Sequence, residues 1–112
     1  MRVATIDIGT NTTLLLVAER TAAGDLRAVR EIATITRLGQ GVDQTRQLAP
    51  EAVARTLACL EGYADVVKEL GVSKTGIVGT SAMRDAGGSE VMRSRVAGLF
   101  GYSVPVFWLG LV

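Results

Sequence analysis

Apolar and β-branched residues open the chain. Residues 2–8 read Arg-Val-Ala-Thr-Ile-Asp-Ile and are closed by Gly9 and the turn-forming Thr10-Asn11-Thr12. This is the pattern of a central strand entering a tight turn. Leu14 to Ala18 is predicted to return as a second strand. After a turn at Ala23-Gly24-Asp25, residues 26–37 give a third extended run, with Val29, Ile32 and Ile35 as apolar points and Thr34 and Thr36 as β-formers. Three strands joined by two short loops predict an antiparallel meander. Leu38 to Ala49, with two glycines and polar residues around Val42-Asp43, reads as a loop.

The period then changes. Pro50 suits a first helical position and Glu51 the positive end of the helix dipole. Val53, Leu57, Leu60, Ala64 and Val67 recur at steps of four and three, an apolar stripe on a helix of about six turns. Gly71 is expected to end it with positive φ. Thr75-Gly76-Ile77-Val78 follows as a short strand. Gly87-Gly88-Ser89 opens a second helix with Met92, Val96, Leu99 and Phe100 on one face, Gly101-Tyr102 closes it, and a last strand is predicted at Val104 to Phe107. The predicted order is βββαβαβ, an α/β arrangement with a mixed sheet.

A chain of 112 residues fits one domain, and 48% apolar with 21% charged residues is an ordinary folding composition. Twelve Lys and Arg against eleven Asp and Glu leave no global field to hold a nucleic acid or an anionic membrane, so any anion must be held locally. With one cysteine and no histidine, an internal disulfide, a Cys/His zinc site and imidazole base catalysis are excluded. Hydrolysis would need carboxylates and a metal. Asp7 interrupts what would be the core of a signal peptide, and no small-residue cleavage site follows, so a cytoplasmic location is expected. Val104 to Val112, the longest apolar stretch, falls short of the ~20 residues of a membrane helix.

Two constellations carry candidate chemistry. Asp7-Ile8-Gly9-Thr10-Asn11-Thr12 sets a carboxylate at a strand end before a small-residue turn whose N–H groups can converge on an anion, a natural place for Mg²⁺. The same residues also suit a plain hairpin with a solvated aspartate. In Val78-Gly79-Thr80-Ser81-Ala82-Met83-Arg84-Asp85 a strand leads through hydroxyl residues into a helical turn that brings round a guanidinium suited to phosphate. A simple strand-to-helix connection, with Ser81 as cap and Arg84 paired to a carboxylate, explains them equally. Cys59 reads as a packing residue and Trp108 as a buried hydrophobe.

Asp-Ile-Gly-Thr-Asn-Thr at 7–12, Leu-Gly-Gln-Gly-Val-Asp-Gln-Thr-Arg at 38–46 and Gly-Thr-Ser-Ala-Met-Arg-Asp-Ala at 79–86 together resemble the N-terminal subdomain of the exopolyphosphatase and guanosine pentaphosphate phosphohydrolase family. The first motif is shared in form with sugar kinases, actin-like proteins and chaperone ATPases; the third is specific. The resemblance runs from Met1 to about Val106. It implies one half of an actin-like ATPase (ribonuclease H-like) fold and hydrolysis of terminal phosphate from polyphosphate or guanosine pentaphosphate with Mg²⁺. By the same resemblance Asp7 would help hold the metal, and Gly9, Asn11 and Thr12 would line the first phosphate loop. Thr80 and Ser81 would shape the same pocket and Arg84 would neutralise the phosphate chain. Arg37 and Arg46 read as solvated surface charges and are weaker candidates for contacts to a long anion.

Residues 107–112 depart from the family pattern, which continues into a segment supplying the catalytic glutamate and later a second phosphate loop. The expectation is a 1–106 subdomain carrying one phosphate-binding half-site, followed by an apolar tail at 107–112 left by truncation, and inactive alone. Self-association of the exposed apolar edge into a homodimer is the alternative account of that tail. Two rival functions remain: a non-catalytic homologue that binds phosphate chains or a partner, and a kinase or chaperone fragment of the same superfold.

Overall fold

The structure, a computed structural model, describes residues 1–79, 86–100 and, for its strand pairing, 106–111. Its elements are β1 (Arg2–Ile8), β2 (Thr12–Arg20), β3 (Leu26–Ile35), α1 (Val42–Thr45), α2 (Pro50–Glu69), β4 (Lys74–Gly79), α3 (Ser89–Phe100) and β5 (Val106–Leu111). One five-stranded sheet has the order β3-β2-β1-β4-β5. β1, β2 and β3 form the antiparallel meander, whereas β4 pairs parallel with both β1 and β5. The mixed α/β sheet therefore agrees with the expectation.

The core lies on one face. Ala4, Ile6 and Ile8 of β1, Leu15 and Val17 of β2 and Ile77 of β4 are buried, in one cluster with Leu57, Leu60 and Val67 of α2 and Met92, Val96 and Phe100 of α3. Each of these strand sets follows the two-residue period that puts alternate side chains on one side of a sheet. The other face carries Thr5, Asp7 and Leu14, all exposed. Pro50 opens α2, and the helix gives way to Gly71 at φ 64. Beyond the expected stripe, α2 also buries Thr56, whose hydroxyl donates to the Ala52 carbonyl at 2.9 Å, and Tyr63.

Several boundaries differ from the sequence reading. β2 is longer than Leu14 to Ala18, and β3 ends at Ile35 because the amides of Thr36 and Arg37 turn away to the Asn11 carbonyl. Ile35 itself is 69% exposed. Apolar residues three apart fall on opposite faces of a regular strand, and only a bulge changes that: the register skips Val29 between Arg30↔Val17 and Ala28↔Ala18, so Val29 and Ile32 both lean on the core while Ile35 does not. The stretch 38–49 is not all loop, since it holds the single turn α1 and buries Leu38 and Leu48. The last strand, Val106–Leu111, runs past the expected end at Phe107, and its pairing from Thr75↔Val106 to Gly79↔Leu111 takes most of the apolar tail into the sheet. The predicted helix end at Gly101-Tyr102, the start at Val104 and the side chain of Trp108 lie outside the described residues. No helix among the described residues is long and apolar enough to cross a membrane.

Candidate functional site

β1 and β4 run parallel with Ile8 opposite Gly79, so the carboxyl ends of both strands stand side by side at one edge of the sheet. In open α/β sheets the carboxyl ends of parallel strands are where ligands bind. The first segment is the Gly9-Thr10-Asn11 connection to β2, closed by the Gly9 amide donating to the Thr12 carbonyl at 2.9 Å. A side chain at Gly9 would bring its Cβ within 2.4 Å of that same backbone oxygen. Glycine is thus required by close approach. Its amide is spent on the turn, which leaves those of Thr10 and Asn11, without acceptors among the described residues, as the donors the loop can offer an anion.

The segment 36–48 wraps both neighbours. The amides of Thr36 and Arg37 each donate to the Asn11 carbonyl at 3.0 Å, and that of Gly39 to the Thr10 carbonyl at 3.0 Å. A Cβ at Gly39 would lie 2.3 Å from the Thr10 methyl. Farther on, the Leu48 amide donates to the Gly87 carbonyl at 3.1 Å and the Gly87 amide to the Arg46 carbonyl at 2.9 Å. One segment therefore bonds to the first motif at its start and to Gly87, just past the third, at its finish. Arg37 and Arg46 both adopt left-handed backbone conformations, at φ 50 and 61, which non-glycine residues seldom take. Their side chains are exposed and make no ion pair among the described residues.

Behind the first loop lies a polar network inside the core. The Tyr63 hydroxyl donates to the Thr13 carbonyl at 2.8 Å, so the Thr34 hydroxyl, 2.7 Å away, donates to Tyr63 in turn. The buried hydroxyls of Thr13 and Thr36 meet at 2.8 Å. Burial, more than any neighbour, pushes the Tyr63 phenol up to about 12. These bonds tie the start of β2 to the end of β3 and to α2, and so hold the loop from below.

Of the residues singled out from sequence, Asp7, Gly9, Asn11 and Thr12 come together at this edge. Asp7 is exposed on the face away from the helices, and Asn11 is exposed with no side-chain partner among the described residues. Thr80, Ser81 and Arg84 lie outside the described residues; Gly79 before them stands at this edge, and Gly87 after them bonds to Arg46 and Leu48. Cys59 is half-buried and packs against the core, as expected. Asp7 offers one hard oxygen ligand beside a loop that can hold phosphate, which fits Mg²⁺ bound largely through water and substrate oxygens. It does not fit a protein-built cage: no group of three metal-ligating side chains occurs among the described residues.

Sequence reasoning missed Tyr63, Arg55 and the Thr13–Thr36 pair. Tyr63 was legible, because it sits three residues after Leu60 and four before Val67 on the apolar stripe. Arg55, whose guanidinium bonds to the 36–40 segment, falls off that stripe and carries no signal in one sequence. A groove of about 520 Å³ lined by Asp7, Leu14, Leu16 and Ala33 opens on the sheet face away from α2 and α3. Its apolar lining suits packing, not a polyanion.

The comparisons with known proteins agree with this geometry. The chain is 41% identical over 107 residues to exopolyphosphatase 2 of Mycobacterium tuberculosis, covering 93% of this chain and 34% of that protein. It is 28% identical over 103 residues to a guanosine-5'-triphosphate,3'-diphosphate pyrophosphatase of Photobacterium profundum, covering 92% of this chain and 20% of that one. The crystal structure of the Aquifex aeolicus Ppx/GppA family member superposes with a TM-score of 0.85 at 33% identity, over 97% of this chain and 35% of that one. The chain thus spans about a third or less of each relative's length, and its α/β fold is that of the actin-like, ribonuclease H-like half they share. The family pattern itself matches residues 16–107, from the middle of β2 into β5, and on that match the chain belongs to the Ppx/GppA phosphatase family.

Proposed function

We propose that this chain grips the phosphate chain in a phosphohydrolase that removes terminal phosphate from inorganic polyphosphate or guanosine pentaphosphate. The observation that carries the reading is the Ile8↔Gly79 register, which sets the 9–11 loop beside the start of the Gly79–Ala86 motif, with the 36–48 segment bonded to that loop and to Gly87 just after the motif. In this reading the amides of Thr10 and Asn11 receive phosphate oxygens, Asn11 and Thr12 line the loop, and Gly9 keeps it tight enough for approach. Thr80 and Ser81 add hydroxyl donors, and Arg84 supplies a forked guanidinium that matches two oxygens at once. Mg²⁺, when bound at Asp7, would neutralise charge on the phosphate chain.

In-line phosphoryl transfer depends on groups placed on both sides of the phosphorus, together with a base for the attacking water. The residues assigned here all address one side. The 112-residue chain is therefore expected to bind polyphosphate in the presence of Mg²⁺ and to release no orthophosphate above background, with binding weakened by Arg84→Ala. A folded sample that fails to bind, or binds equally well after Arg84→Ala and Asp7→Asn, overturns the assignment. Orthophosphate release that disappears with Arg84→Ala would instead put a base within this chain or across a dimer, which a size-exclusion profile would distinguish.

A further inference from the structure

We infer that Arg55 is a positioning residue for the phosphate loop: from α2 its guanidinium fixes the 36–40 segment, which in turn fixes Thr10 and Asn11. The inference deepens the phosphate-binding reading and rests on it for its purpose, though not for its geometry. Arg55 Nε donates to the Thr36 carbonyl at 3.1 Å, and Nη2 donates to Gln40 Oε1 at 2.6 Å and, more weakly, to the Arg37 carbonyl at 3.4 Å. The same stretch sends the amides of Thr36, Arg37 and Gly39 to the carbonyls of Asn11 and Thr10. A single rigid fork thus holds one side of a strip whose other side holds the anion loop.

The chemistry requires such a tie. Arg37 stands at φ 50, a conformation that a non-glycine residue keeps only where its surroundings over-determine it. Its amide donates to Asn11, and its carbonyl accepts from the Gln40 amide at 3.1 Å and, at 3.4 Å, from Arg55. An ammonium could carry the same charge but is a point donor and cannot span three acceptors in fixed directions. The fork, rather than the charge, is what the geometry uses. Arg55 turns Nε and Nη2 to protein acceptors in the 36–40 segment and so acts on the anion through the loop, with Nη1 taking no part in the tie.

The test compares the 112-residue chain with Arg55→Lys and Arg55→Met by amide hydrogen exchange and by polyphosphate binding over a range of salt concentrations. Positioning predicts exchange at Thr36, Arg37 and Gly39 that rises by about tenfold or more in both variants, with the β1–β2 amides unchanged. It also predicts an affinity lower by about five- to thirtyfold, the loss of one or two net hydrogen bonds, with the salt slope kept. Unchanged exchange at the three amides overturns the proposal. So does a salt slope reduced by about one in Arg55→Met and retained in Arg55→Lys, the sign of a direct phosphate contact. If the unaltered chain binds no polyphosphate, the functional reading falls, and exchange alone then decides for or against the tie.

Discussion

Replacing Tyr63 by phenylalanine removes one oxygen from a side chain that is 4% exposed and leaves its ring in place. That oxygen donates to the Thr13 carbonyl at 2.8 Å and accepts from the Thr34 hydroxyl at 2.7 Å, so two hydrogen bonds are lost at once. At about 1 kcal/mol net for each, the variant should be destabilised by about 2 kcal/mol, within about 1–3 once imperfect satisfaction of the abandoned partners is included. With an m-value of about 1.5 kcal/mol/M this lowers the urea midpoint by about 1 M, followed by circular dichroism with m unchanged. Adding Thr34→Val removes the stranded donor, so the double variant should lose less than the sum of the two single changes. The phenol also titrates. Because its folded value is raised from 10.0 to about 12, the neutral form is favoured in the fold; that stability is fully present below pH 10 and is lost as pH rises towards 12. The gap between the unaltered chain and Tyr63→Phe should therefore narrow over that window. A shift under about 0.5 kcal/mol, or a gap indifferent to pH, would refute the claim that this network holds the loop from beneath.

Two further changes probe the edge and the far end of the meander. Gly39→Ala should cost about 1–3 kcal/mol in thermal or urea unfolding, because its methyl would collide with that of Thr10, and adding Thr10→Ser should recover most of the loss. Glu19, whose carboxyl is held below its usual value first by the hydrogen bond from Arg27 and then by the charge of Arg2, should favour the fold above pH 4.5 and lose that advantage as pH falls through its lowered value. The difference in Tm between the unaltered chain and Glu19→Gln should accordingly vanish in acid and shrink in high salt; a difference constant with pH would show that the charge is not involved.

The parts of this structure that could be read from sequence are those where a local period and a tertiary demand coincide. β1 alternates cleanly because one of its faces meets the helices, and the Val53, Leu57, Leu60, Val67 stripe is the helical version of the same demand. β3 resisted because a bulge at Val29 changes the period partway along, and a bulge is set by the partner strand. The residues 38–49 looked like plain loop since their order comes from bonds to residues far away, Thr10 and Gly87 among them. The candidate site divides in the same way. Asp7, Gly9, Asn11 and Thr12 lie within one stretch of six residues and could be named from their chemistry, whereas Arg55 and Thr36 serve the loop across long stretches of chain, and nothing local marks an arginine whose acceptors lie fifteen or more residues away.

In β1 the candidate metal ligand and the core share one strand in alternate positions: Ile6 and Ile8 are wholly buried, and Asp7 between them is exposed on the opposite face. For the gene this sets two unequal rules. A codon changed at position 6 or 8 to another aliphatic residue leaves the strand's two faces as they are. A codon gained or lost ahead of Asp7, with pairing to β2 and β4 retained, exchanges the faces, driving a carboxylate among aliphatic side chains and turning isoleucines to water. In this stretch the count of residues is held more tightly than their spelling.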